Sequence, residues 1–246
     1  LGNAEVWVAQ GTYAEWRVYE GALWLRSGVA VYGGFAGSET ARDQRDWKTN
    51  LTVIHGGKAN GGIAAAHVIA GADNAVLDGF IIRGGRGGEG AGLINQAASP
   101  AISNCVFLDN RSDTYGGAVL NTNGSSPAFT GCWFVNNYAR NAGGAMAGVS
   151  AAFTAEDCRF RDNGAGKQGG AVYVGHEGTA VFGNCRFSGN QSAQQGGAVF
   201  VDAGGDATID FSWFLGNSAG TRGGAVFAND QARLITRGTL YAVNEA

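Results

Sequence analysis

The chain has 246 residues, of which 43 are Gly and only 2 are Pro, with 45% hydrophobic residues; this fits one extended solenoid domain (residues 1–246) better than two globular ones. A formal charge of −3 and an isoelectric point near 5.6 argue against a nucleic-acid partner, since a nucleic-acid binder normally carries a basic excess. No run approaches the roughly 18 apolar residues of a membrane span, and the chain opens at Leu1 without Met, so any export signal has been removed or lies outside this sequence.

Residues 1–37 read as opening coils built of strands. Val6-Trp7-Val8 is a strand stopped by Gly11-Thr12, Leu23 to Tyr32 holds two more separated by Ser27-Gly28, and Gly33-Gly34 makes a turn. From Ser38 to Asn50 the pattern breaks. Ser38 is placed to cap a short helix carrying Glu39, Arg42, Asp43, Arg45, Asp46 and Trp47. This charged excursion, 38–50, is expected to lie over one face or the N-terminal end, with Trp47 as its anchor. Coils resume at Leu51-Thr52-Val53-Ile54 and at His67-Val68-Ile69. Counting back 27 residues from Phe107 lands on Phe80, which puts Asp78 at the position of Cys105 and Arg83 at that of Asn110.

From residue 105 to 244 the repeat is regular. Phe107, Phe134, Phe160, Phe187 and Phe214 follow one another at steps of 27, 26, 27 and 27, and Gly-Gly-Ala triplets open at Gly116, Gly143, Gly169, Gly196 and Gly223 with the same steps. A degraded sixth copy ends in Tyr241 and Asn244. A strict period with apolar clusters too short for helices specifies a solenoid, and about 27 residues suit three short strands joined by three turns. Stacked coils place like above like about 4.8 Å apart. The Phe series becomes an internal stack. Asn110, Asn137, Asn163, Asn190, Asn217 and Asn244 become an amide ladder in a turn. Gly-Gly suits a turn with positive φ and no room for side chains.

Cys105, Cys132, Cys158 and Cys185 share one repeat position, continued by Ser212 and Thr239. An even count invites disulfides, but in-register stacking holds neighbouring Cβ atoms about 4.8 Å apart with parallel vectors, outside the usual window of about 3.5–4.5 Å. The expected arrangement is a buried thiol ladder.

The combination of Phe-x-x-Asn with Gly-Gly-Ala resembles the repeat of chlamydial polymorphic outer-membrane proteins and of the wider group of bacterial right-handed β-helix surface proteins. Val6-Trp7-Val8-Ala9 with Gly11-Thr12-Tyr13, and Tyr32 to Gly37 with Arg45-Asp46-Trp47, are similar to the lead-in of such proteins. The resemblance implies a right-handed parallel β-helix, an extracellular or cell-surface setting, and an adhesive or structural role. The expected fold is all-β: a single right-handed parallel β-helix of eight or nine coils, with one short helical excursion.

Chemistry is sparse. Asp109 and Asp162 share a repeat position two coils apart, about 9–10 Å by strand spacing, near the separation used by inverting glycosidases. No His or Arg is tied to them, and the same position carries Asn136, Gly189 and Gly216, so a solvated turn competes with catalysis and the sequence points away from an enzyme. No cofactor is expected. His55, His67 and His176 fall at unrelated repeat positions, which argues against a metal; the two acids of the Asp202 to Asp206 loop are a weak cation signal.

The best candidate surface is the stripe one residue after the Cys position: Val106, Trp133, Arg159, Arg186, Trp213 and Leu240, flanked by Leu108, Val135, Arg161 and Leu215. Alternation from the inward Cys and Phe points these side chains outward. Trp and Arg on a flat sheet can hold sugar rings or acidic polymers; the competing reading is a lateral contact with another subunit. The chain is therefore expected to be a structural or adhesive surface or fibre protein that self-associates laterally or end to end, since Leu240 and Tyr241 are still in pattern at its end. The alternative is a polysaccharide-binding or polysaccharide-degrading β-helix.

Overall fold

A computed structural model describes residues 4–14, 21–58 and 63–246; the parts of the expected opening coils at 1–3 and 15–20 lie outside the described residues. The strands form a parallel β-helix. Every third or fourth strand pairs with its equivalent one coil away, giving sheets of nine, eight, nine and six strands.

The first sheet runs from Ala4–Ala9 through Ala101–Ser103 to Arg233–Arg237, and the second from Gly11–Tyr13 through Trp133–Val135 to Leu240–Ala242. The third runs from Leu23–Trp24 to Val226–Ala228. Three strands per coil account for these. The fourth sheet, of two-residue strands from Arg86–Gly87 to Ser218–Ala219, lies just beyond the Asn turn and adds to the expected three.

In the regular region the register follows the repeat. Phe107 pairs with Phe134, Phe134 with Phe160, Phe160 with Phe187 and Phe187 with Phe214. Their rings are buried and stacked nearly parallel at centroid distances of 5.0, 4.8, 4.6 and 4.5 Å, and Tyr241 closes the row at 5.0 Å. The one-residue shortening of the second interval falls between Val149 and Thr154, in the connection from the third sheet to the first.

Beside the Phe stack, the Asn side chains within the ladder use their whole hydrogen-bonding capacity. Asn163 Nδ2 donates to the Phe134 carbonyl at 2.9 Å and to Asn190 Oδ1 at 3.0 Å, while its Oδ1 accepts from both the backbone N and the Nδ2 of Asn137. The same bonds recur from Asn110 to Asn244. The two glycines of each Gly-Gly pair do different jobs. Gly116 and its equivalents hold φ between +61° and +69°. A Cβ on the second glycine, Gly117, would lie 2.1 Å from the Gly144 carbonyl oxygen, so backbone stacks directly on backbone there.

Two expectations near the N-terminus are corrected. The equivalent of Phe107 is Ile82, with Val106 paired to Ile81 and Leu108 to Arg83. This coil is therefore 25 residues long, Phe80 stands where later coils carry Cys, and Asp78 pairs with Ser103. The Asn110 position falls to Gly85, whose N–H donates to Asn110 Oδ1. The 38–50 excursion contains only one 3-10 turn, Arg42–Gln44, and Ser38 does not cap it. Gln44 Oε1 instead accepts from the Thr40 and Ala41 backbone N–H groups, and the Glu39 carboxylate accepts from those of Ala36, Gly37 and Ser38. The segment is anchored by Trp47, whose backbone lies against Gly34, and by the largely buried Arg45–Asp78 ion pair at 2.8 Å.

Candidate functional site

The second sheet turns Cys and Phe inward and the intervening residues outward. Trp133, Arg159, Arg186 and Trp213 are successive register partners, so the outer face carries Trp, Arg, Arg, Trp at one-coil steps. All four are exposed, Trp213 at 53%. The Arg159 guanidinium lies over the Trp133 ring at 4.6 Å from its centroid, which holds both side chains on the sheet. Between Arg159, Arg186 and Trp213 a cleft of about 280 Å³ opens toward Asp157 and Asn184. Neither Arg159 nor Arg186 makes an ion pair among the described residues, whereas Arg161 is turned to Asp162, Nε to Oδ2 3.1 Å. That pair is more than half exposed and contributes little to stability.

Asp109 and Asp162 stand at a position of left-handed backbone. Asp109, Asn136, Asp162, Gly189 and Gly216 all have positive φ, from 53° to 65°, so this position accepts residues that tolerate the left-handed conformation. Asp109 is engaged by Arg83 at 3.2 Å and by Asn136 Nδ2 at 2.7 Å, and Asp162 by Arg161. The position before Cys is of the same kind: Asn104, Gly131, Asp157, Asn184, Phe211 and Gly238 all have φ near +50° to +62°. Phe211 is the exception among them. It is bulky, 68% exposed, and laid over Gly238. Left-handed backbone costs a bulky residue about 1–2 kcal/mol, so Phe211→Asn is expected to raise the melting temperature slightly; a clear fall would mean that the Phe211 ring contributes more than its backbone strain costs.

A second row outside the coil is absent from the sequence reading. On the outer face of the third sheet Ile94, Leu120, Ala147, Tyr173, Phe200 and Phe227 are register partners. Leu120, Ala147, Tyr173 and Phe200 are buried, because the Gly-Gly turns fold back over this sheet with Tyr115 and Ala142 packed on the row. Tyr173 donates to Asp202 Oδ2 at 2.6 Å, and Asn229 and the Ala203 N–H also bond to that carboxylate. Burial works against ionisation of Asp202, but these donors prevail and hold its carboxyl below the usual range. These bonds make Asp202 the clasp of its turn. Among the described residues no group of three or more His, Cys, Asp or Glu converges.

The four cysteines are free and buried, with Sγ atoms directed at backbone carbonyls, as from Cys185 to Ala155 at 3.3 Å. Desolvation pushes the Cys105 thiol up to about 12 and raises Cys132 as well. Because these folded values lie above the unfolded one, the thiols' contribution to stability is complete below about pH 8.5 and is lost as pH rises toward 12. Iodoacetamide at pH 8 is expected to label none of the four in the native chain and all four after denaturation without reductant. Recovery of a Cys132–Cys158 bridge would contradict the stacking.

No helix among the described residues is long and apolar enough to cross a membrane. No curated protein matches the sequence, and no solved structure does. The family description of a right-handed β-helix region matches residues 47–214, well over half of the chain. Together with the stacked parallel sheets, this match places the chain in the family of proteins with a right-handed β-helix region.

Proposed function

We propose that this protein is an extracellular or cell-surface β-helix that acts as a rigid binding scaffold, and that the Trp133, Arg159, Arg186 and Trp213 face takes up glycan chains without cleaving them. The observation that carries this reading is the fixed Trp-Arg-Arg-Trp row. Two indole platforms three coils apart, about 14 Å along the axis, bracket two guanidinium groups that have no carboxylate of their own. Indole faces stack on sugar rings, and guanidinium forks bond to hydroxyl or carboxylate oxygens. Binding without turnover is favoured because Asp109 and Asp162 are tied into turns by Arg83, Asn136 and Arg161. The surface setting and the adhesive role rest on the resemblance of the repeat to chlamydial polymorphic outer-membrane proteins.

The test is a panel of neutral and acidic polysaccharides, scored for retention of the protein and for new reducing ends. Retention of at least one polymer with no new reducing ends is expected. Release of oligosaccharides would make the protein an enzyme, and no retention would remove the glycan reading. Localisation is checked by fractionating the source cells, with the protein expected in the surface or medium fraction.

A second reading has its own observation. Trp213, Leu215 and Leu240 form an exposed apolar cluster on two neighbouring strands, with the exposed Phe211 and Val243 in the flanking turns, Val243 at 74%. Such a cluster favours lateral association with a second copy. Light scattering across a wide concentration range is expected to show a dimer or larger species that Phe211→Ser with Trp213→Ser disperses; a monomer at every concentration would dismiss this reading.

A further inference from the structure

At the corner between the second and fourth sheets, toward the N-terminal coils, an open groove of about 630 Å³ is lined by His55, Arg83, Arg86, Arg111 and Tyr138, with Asp109 at its edge. We propose that this groove binds a phosphate or sulfate monoester group carried on a polymer. The argument begins with placement. Arg86 and Arg111 are direct register partners on adjacent strands of the fourth sheet. Like charges directly opposite each other on neighbouring strands are destabilising. Here no acid relieves them, since neither arginine makes an ion pair or a side-chain hydrogen bond among the described residues.

Arg111 is nevertheless not left to swing in solvent. Its guanidinium lies over the Tyr138 ring, 4.5 Å from the centroid, so one face is occupied and its N–H edges remain for a ligand. Arg83 completes the set. Its Nη2 bonds to Asp109 Oδ2 at 3.2 Å, while its Nε is buried with no hydrogen-bond partner. Asp109 in turn has its other oxygen taken by Asn136. The groove thus presents three guanidinium groups against one carboxylate, a local positive excess on a chain whose net charge is −3.

The shape of this set selects the ligand. A carboxylate offers two oxygens, which one guanidinium fork can satisfy; the two unpaired forks of Arg86 and Arg111, with the charge of Arg83 beside them, match a group with three free oxygens. A phosphate monoester near pH 7 also carries about −1.5 to −2 charge, which fits the excess of two left by three arginines and Asp109. The groove is open along the rod, so the ester can belong to a long chain passing over it. This proposal does not depend on the Trp133 and Trp213 face.

The experiment compares the wild type, Arg86→Ala with Arg111→Ala, Arg86→Lys with Arg111→Lys, and Trp133→Ala with Trp213→Ala. Each is titrated calorimetrically with dextran phosphate, dextran sulfate, polygalacturonate and plain dextran. The wild type is expected to bind an ester-bearing dextran more tightly than polygalacturonate, and whichever ester is preferred identifies the source. The double alanine variant should lose about tenfold or more in that affinity at an unchanged melting temperature. The lysine variant, which keeps charge but not the fork, should fall between. The Trp variant should keep the ester preference, so failure of the glycan face and failure of this groove are read separately. Equal ester affinity in the wild type and the double alanine variant, polygalacturonate bound as tightly as the esters, or no ester binding by the wild type would each overturn the proposal.

Discussion

Replacing Phe160 with alanine is expected to be the most damaging single change in the regular coils. Its ring is fully buried and stacked on both sides, at 4.8 Å from Phe134 and 4.6 Å from Phe187, with the edge of Phe182 against it at 6.2 Å. Truncating a buried Phe typically costs about 3–5 kcal/mol, because both transfer free energy and packing are lost and a cavity remains. Each lost stacking contact adds about 0.5–1.5 kcal/mol to what area alone would give. Tyr241, at the end of the same stack, is 42% exposed and has one such neighbour. Tyr241→Ala should therefore cost less than half as much in a denaturant titration. Equal costs would mean that the stack is not the element that couples one coil to the next.

Asn163→Ala is expected to follow closely. Removing the amide takes away the partner of the Phe134 carbonyl and of both the Asn137 N–H and one of its Nδ2 hydrogens, in a turn where Asn137, Asn163 and Asn190 are all buried. Unsatisfied buried groups cost about 1–3 kcal/mol each way they arise, and the upper end applies with several orphaned at once. A loss of about 3 kcal/mol corresponds to a melting temperature lowered by about 6–12 °C in a chain of this size. Ser188, on the outer face of the second sheet, is the control, and Ser188→Ala should lie within about 0.5 kcal/mol of the wild type. Equal losses for the two variants would misplace the inside of the coil.

The interior was legible in the sequence because identical residues recur at identical positions. Phe, Asn, Cys and Gly-Gly each occupy one wall or corner, and in-register stacking turns a column of letters directly into a column of atoms. Where the interval changes, that reading fails. The coil before Phe107 is 25 residues long, so counting back by 27 put Phe80 in the place that Ile82 fills. The outer row on the third sheet was hidden for a different reason. Ile94, Leu120, Ala147, Tyr173, Phe200 and Phe227 share no residue type, and their burial depends on the Gly-Gly turn folding back over them, which no local pattern encodes.

The candidate surface was legible in part. The outward Trp and Arg stripe follows from strand alternation once the inward Cys and Phe are fixed. The left-handed backbone at the Asp109 and Asp162 position was legible in Asn136, Gly189 and Gly216, residue types that accept it. The arginine groove was not legible, because Arg83 belongs to the second sheet while Arg86 and Arg111 belong to the fourth, a sheet that the three-strand coil does not contain. Tyr138 joins them only through stacking.

The most direct test of the binding-scaffold account is calorimetric titration of the Trp133→Ala, Trp213→Ala double variant with whichever polysaccharide the wild type retains. Both side chains are on the outer face, so the variant should melt within a few degrees of the wild type. Its affinity should fall about tenfold or more, since the aromatic platforms for the sugar rings would be gone while the arginines between them stay in place. An affinity equal to that of the wild type, at an unchanged melting temperature, would contradict the account and move the binding surface elsewhere on the rod.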